Sequence, residues 1–228
     1  TTTSAVLEPT DADASGQAID LVSGLAVRRP KLSRSGFFVD RNGAVVTTSG
    51  AVASCSRITI DEDTAASVVT VDADLGIAVL RPDAPLAPRA IAAFSSRVPR
   101  LGADVAVAGF SYEGMLGAPS MTFGSLSDLK DLSGNTERKR LALATLPGDE
   151  GGPVFDAAGG VLGMLLPTEV NGRSLPEDVR FAANGDAIGA VLQGSGLPVS
   201  TAETAGPINP VDLGTTARAM TVLVSCWD

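Results

Sequence analysis

Apolar positions in this chain come in short bursts separated by polar turns. Residues 36–39 (GFFV), 44–48 (AVVTT), 57–60 (RITI), 66–72 (ASVVTVD) and 76–80 (GIAVL) are rich in β-forming side chains and predict strands. The Asn42-Gly43 pair between the first two is a strong hairpin signal. Residues 61–63 (DED) and 81–83 (RPD) mark further turns. The second half repeats the style, with strands predicted at 104–110, 120–126, 141–145, 153–155 and 161–166. A glycine-rich loop at 147–152 and a hairpin turn at 156–160 lie among them.

The ends of the chain read differently. Residues 1–17 form a loose lead-in, 19–27 (IDLVSGLAV) a first strand, and 28–35 a basic connection. The spacing at 183–193 predicts a helix capped by Asn184, with Ile188, Val191 and Leu192 on one face and a stop at 194–196. Residues 199–210 read as a linker, and 219–224 (AMTVLV) as a final strand that must dock on something.

Short strands, close turns and one late helix predict an all-β fold. Two sets of about six strands predict a pair of six-stranded β-barrels, with a short helix near the C-terminus. The organisation expected is a lead-in and first strand at 1–30, a first barrel at 31–95, a second barrel at 96–198, and a linker with a returning strand at 199–228. Composition agrees with a packed protein: 44% of the 228 residues are hydrophobic, and one Trp, one Tyr and seven Phe leave the core to aliphatic side chains.

Charge narrows the partners. The 17 basic against 26 acidic residues give a net charge of −9, which argues against nucleic acid, since phosphate binding needs clustered Lys and Arg. The single basic run, Glu137-Arg138-Lys139-Arg140, reads as a solvated loop. The acidic turn Asp61-Glu62-Asp63 has metal-ligand chemistry but reads as a solvated turn. No apolar run reaches the roughly 20 residues a membrane-spanning helix needs. Thr1 is not a natural start, so the chain reads as a processed or cut-down segment.

The chain contains no histidine. That excludes Ser-His-Asp and Cys-His machinery, and His-ligated zinc or haem, within this sequence. Two cysteines, Cys55 and Cys226, are too few for a four-cysteine zinc or iron–sulfur site, and no cofactor is implied. The two are either separate buried thiols or one disulfide, and the disulfide is the favoured reading. It would tie the last strand to the first barrel, contribute roughly 5 kcal/mol by the chain-entropy argument, and imply an oxidising compartment.

The loop from Leu146 to Phe155 (LPGDEGGPVF) resembles the Gly-Asn/Asp-Ser-Gly-Gly-Pro nucleophile loop of trypsin-like serine proteases, closest to the bacterial HtrA/Deg-like and related secreted peptidases. Residues 37–48 (FFVDRNGAVVTT) resemble the strand-turn-strand that leads to that family's histidine, and 71–80 (VDADLGIAVL) resemble its Asp-Leu-Ala-Leu-Leu strand. Residues 161–165 and 179–182 resemble its strand pair near the substrate pocket, and Cys55 with the ending TVLVSCW resembles one secreted subgroup. The likeness covers about residues 35–198 plus the tail, and it implies the two-barrel trypsin-like fold.

On this resemblance the histidine position falls on Gly50, the aspartate position on Gly76 and the nucleophile position on Glu150. The former oxyanion loop would comprise Gly148, Asp149, Glu150, Gly151 and Gly152. A serine without a base is a poor nucleophile, and no histidine is present to serve one. The expectation is therefore a catalytically degenerate protease fold, a pseudoprotease, whose work is binding a peptide or protein partner or scaffolding in the periplasm or outside the cell. Its cleft would hold an extended peptide by strand addition, which needs no triad. Two other readings stand beside it. One is a hydrolase using a carboxylate pair, Glu150 with Asp149 or Asp74. The other is a purely structural domain of a larger envelope protein.

Overall fold

The computed structural model describes residues 17–19, 26–61, 63–168, 175–203 and 206–228. The lead-in at 1–16, residues 20–25 of the predicted first strand, and Glu62 of the acidic turn lie outside the described residues.

The strands in chain order are β1 (Gln17–Ile19), β2 (Ala26–Arg28), β3 (Leu32–Phe38), β4 (Val45–Thr48), β5 (Arg57–Ile60), β6 (Thr64–Asp72), β7 (Ile77–Pro82) and β8 (Ala93–Phe94). Then come β9 (Asp104–Gly109), β10 (Ser120–Asp128), β11 (Arg138–Ala142), β12 (Pro153–Asp156), β13 (Val161–Leu165) and β14 (Val179–Asn184). Helix α1 (Gly185–Gly194), β15 (Ser200–Thr201), helix α2 (Pro210–Met220) and β16 (Thr221–Trp227) complete the chain. Strands β1 and β2 pair with each other in a separate two-stranded sheet.

The first barrel closes in the order β16-β3-β4-β7-β6-β5, so a strand from the far end of the sequence fills the gap between β3 and β5. The hairpin read at Asn42-Gly43 is present. Asp40 Oδ1 accepts the N–H groups of Asn42 (3.0 Å) and Ala44 (2.7 Å), and Gly43 takes the positive φ of +92° that the turn requires. The second barrel runs β12-β9-β10-β11-β14-β13 and closes by pairing β12 with β13. The short strands β8 and β15 extend its sheet beyond β13 in parallel.

Alternation along the strands sends successive side chains to different cores. Phe37, Val46, Ile77 and Val79 join Phe155, Met164, Ile188 and Met220 in a cluster shared by the two barrels. Phe38, Val45, Ile60 and Val224 fill the first barrel, while Val107, Leu126, Leu141 and Leu165 fill the second. The Cys55–Cys226 disulfide is formed, across a sequence separation of 171, and fastens β16 at the barrel's rim.

Three regions depart from the sequence expectation. Residues 28–35 are not a connection throughout, because β3 begins at Leu32 and alternates buried Ser33 and Ser35 with the half-buried Leu32 and Arg34. The basic run at 138–140 is not a solvated loop. It is the start of β11, with Lys139 buried and pairing in register with Ala182 of β14. A second helix, α2, lies between the predicted linker and the predicted last strand and takes in the first two residues read as that strand. Asn209 Oδ1 caps it by accepting from Val211 and Asp212 N–H, both at 2.9 Å, and Pro210 occupies its first turn. Its buried face, Leu213, Gly214, Ala217 and Met220, is too poor in large apolar groups to stand out in sequence. The predicted α1 is present, capped by Asn184 and buried through Ile188 and Leu192.

Candidate functional site

The candidate site lies where β3 and β4 of the first barrel meet the loop between β11 and β12 of the second. The loop's backbone is held by Ser35 on β3. Ser35 N–H donates to the carbonyls of Gly148 (3.1 Å) and Glu150 (3.0 Å), and its hydroxyl donates to Gly148 O at 2.6 Å. The same hydroxyl accepts from Phe110 N–H at 2.8 Å. On the other side Gly151 N–H donates to Leu165 O (2.8 Å) and Leu165 N–H to Gly152 O (2.9 Å).

The glycines are required by contact as well as by conformation. Gly151 has φ +90°, and a Cβ there would lie 2.0 Å from Ser35 O. Gly148 has φ +96°, and a Cβ would lie 2.5 Å from Phe110 O. A side chain at Gly151 would push this loop off the first barrel, and one at Gly148 would push it off the segment that follows β9.

Asp149 and Glu150 are neighbours in sequence with separate duties. Asp149 is buried. Its carboxylate accepts the Ser111 hydroxyl (2.7 Å) and Leu146 N–H (2.9 Å), closing the loop on itself. Burial raises its pKa above the ordinary aspartate value, with the Leu146 and Ser111 hydrogen bonds opposing and the Glu150 charge adding to the rise. Glu150 turns its side chain back, so that Oε2 accepts the N–H of Gly148 at 3.0 Å. It also pairs with the guanidinium of Arg34 at 3.4 Å, which in turn reaches Glu113 at 2.7 Å. The carboxylate thus occupies an amide of its own loop and is neutralised from the facing barrel. The two members of the suggested Glu150–Asp149 pair are committed to different partners.

Gly50 and Gly76 are brought together. Gly50 sits in the 3-10 turn Ser49–Val52 after β4, and Ser49 N–H donates to Gly76 O at 2.9 Å. Among the described residues, no atom beyond its chain neighbours lies within 4 Å of a Cβ built on Gly50, while one on Gly76 (φ +77°) would meet Leu166 Cδ2 at 3.4 Å. Beside them is a hollow of about 350 Å³ lined by Ser49, Leu75, Gly76, Arg138, Leu166 and Phe181. Arg138 reaches across it to donate to Asp74 O at 2.6 Å. Its Nε is buried with no hydrogen-bond partner among the described residues. Glu150 does not line this hollow. Sequence reasoning missed Arg34, Glu113, Arg138 and Leu166. They come from distant stretches of chain and carry no local signature.

The family description of the trypsin-like peptidase domain matches residues 34–164, more than half of the chain. The chain belongs to that family. The trypsin-like fold is matched by the serine endoprotease from Yersinia pestis at a TM-score of 0.59 and 20% identity, over 71% of this chain and 57% of that one. The HtrA-type protease AlgW with decapeptide matches at a TM-score of 0.59 and 24% identity, over 71% of this chain and 51% of that one. A curated relative, the uncharacterized protein y4bJ of Sinorhizobium fredii (strain NBRC 101917 / NGR234), is 26% identical over 201 residues, 84% of this chain. This trypsin-like chain spans 32% of that relative's length. Among the described residues, no group of acidic, His or Cys side chains is arranged to hold a metal ion, and no helix is long and apolar enough to cross a membrane.

Proposed function

We propose that this trypsin-like domain is a pseudoprotease: it binds an extended peptide or protein segment between its barrels and does not cleave it. The observation that carries the reading is Glu150. At the place the family resemblance assigns to a nucleophile, this chain has a carboxylate hydrogen-bonded to Gly148 N–H of its own loop. An oxyanion could not share that amide without displacing the carboxylate and meeting its negative charge. The absence of histidine from the sequence removes the base that would activate a hydroxyl. Gly50 and Gly76, at the two other assigned positions, offer no titratable group.

Peptide binding is supported by the hollow beside these glycines and by the fold's precedent. AlgW, of the same fold, is described with a decapeptide. An extended peptide held by strand addition uses main-chain groups and needs no triad. The disulfide and the HtrA-type neighbours support a location outside the cytoplasm, in the cell envelope.

The test has two arms. Neither the native protein nor Glu150→Ser should cleave casein or a peptide ester, and turnover by either would overturn the reading. An array of immobilised decapeptides should show saturable binding of a subset, and that binding should fall at least tenfold in Ser49→Arg, which fills the hollow. Binding indifferent to that substitution would remove the hollow from the proposal.

A further inference from the structure

The most unusual side chain outside the cleft is Lys139. It is one of three lysines in the chain and is 6% exposed, the one buried cation among the described residues. It follows Arg138 on β11 and shares a strand face with Leu141 of the second barrel's core. Its ammonium donates to Asn184 Oδ1, the oxygen that also caps α1 by accepting Asp186 N–H at 3.3 Å. It joins none of the ion pairs formed among the described residues.

An ammonium carries three N–H donors, and buried charge is normally met by a counter-charge. Here one neutral oxygen is the only hydrogen-bond acceptor among the described residues. Burial lowers the lysine's pKa from 10.5 to about 8, with the charge of Asp186 acting in the opposite sense. Lys139 lines a pocket of about 310 Å³. Arg97 and Lys130 add positive charge to the lining, and Asp186 adds one negative charge. Val98, Leu129 and Leu162 make part of the wall apolar.

We propose that this pocket is a second ligand site, separate from the hollow between the barrels, and that it takes a monocarboxylate on a short apolar stem. The carboxylate meets the Lys139 ammonium and completes its hydrogen bonds. The stem lies against Val98, Leu129 and Leu162. Asp186 at the rim disfavours a dianion, which sets a carboxylate above a phosphate. The proposal does not depend on what binds in the cleft.

The protein labelled with ¹³C at lysine Cε tests this by NMR, titrated at constant ionic strength with butyrate, acetate, inorganic phosphate or chloride. The Lys139 signal should shift saturably with butyrate, and at least several-fold higher acetate should be needed for the same effect. Because the ligand pairs with the charged amine, saturation should raise the midpoint of the Lys139 titration. Butyrate affinity should fall about tenfold per pH unit above the free midpoint. Lys139→Met should abolish binding, read on the Leu129 and Leu162 methyls. Should that variant fail to fold, Asp186→Asn, compared with the native protein well below both lysine midpoints, should strengthen butyrate binding several-fold. No saturable shift with butyrate, saturation by phosphate alone, or a midpoint unmoved by ligand would each overturn the proposal.

Discussion

The two barrels are alike in strand number and unlike in how they are closed. Every strand of the second barrel's ring lies between Asp104 and Asn184, and its closing pair, β12 with β13, is a hairpin around residues 157–160. The first barrel takes five strands from residues 32–82 and its sixth, β16, from residues 221–227. One ring completes itself from contiguous chain. The other stays open until the whole second barrel has been passed. Closure of the first must therefore meet a long-loop entropy cost that the second avoids. The Cys55–Cys226 bond sits where that cost falls.

Removing residues 221–228 should have the largest effect, because it takes away the strand that closes the first barrel. The N–H and C=O groups on the facing edges of β3 and β5 would lose their partners. Hydrogen exchange should then show protection lost throughout β3–β7 and retained in β9–β14. Equal loss in both barrels would show that they fold as one unit. Replacing both cysteines by serine should be the next largest effect, a loss approaching roughly 5 kcal/mol in denaturant unfolding. Its extra exchange should be concentrated in β5 and β16.

The second barrel's distinguishing weakness is electrostatic. Lys139 is protonated more readily in the unfolded chain than in the fold, where its pKa is about 8 against 10.5. Between those values the unfolded state binds more protons, so stability rises with pH. The lysine's contribution over that window is about 3 kcal/mol. Denaturant midpoints from pH 7 to 10.5 should show the rise in the native protein and a flattened profile in Lys139→Met. A smaller effect should come from Asn209→Ala at the α2 cap, about 1 kcal/mol. Because α2 leads directly into β16, that loss should appear as faster exchange in the first barrel.

What could be read from the sequence followed the same division between local and distant. The Asn42-Gly43 hairpin, the 156–160 turn, the Asn184 cap and the glycine-rich loop at 147–152 each announce themselves within a few residues. They sufficed for the two-barrel fold and for the family. The first three residues of β11 were hidden because Arg138 and Arg140 flank a lysine whose aliphatic stem faces inward, so the alternation read as a charge run. Helix α2 was hidden because its buried face is largely small residues. The loop around Glu150 was legible as a motif. The partner that neutralises it was not. Arg34 comes from the opposite barrel, and Glu113 from a turn where Tyr112 and Glu113 both take positive φ. Ser35, whose N–H and hydroxyl hold the loop, looked like part of a connection.

Ser35 and Arg34 are adjacent on β3, yet they stitch the seam between the barrels with different thread. The Ser35 hydrogen bonds are neutral and buried, so dissolved ions leave them almost untouched. The Arg34 contacts to Glu113 and Glu150 are ionic and about a quarter to a half open to water, so salt weakens them. The seam consequently has a fixed side and an adjustable one. Raising ionic strength would loosen the Arg34 clasp while Glu150 stays anchored on Gly148 N–H, so the seam softens along one edge like a spring tuned by the surrounding electrolyte.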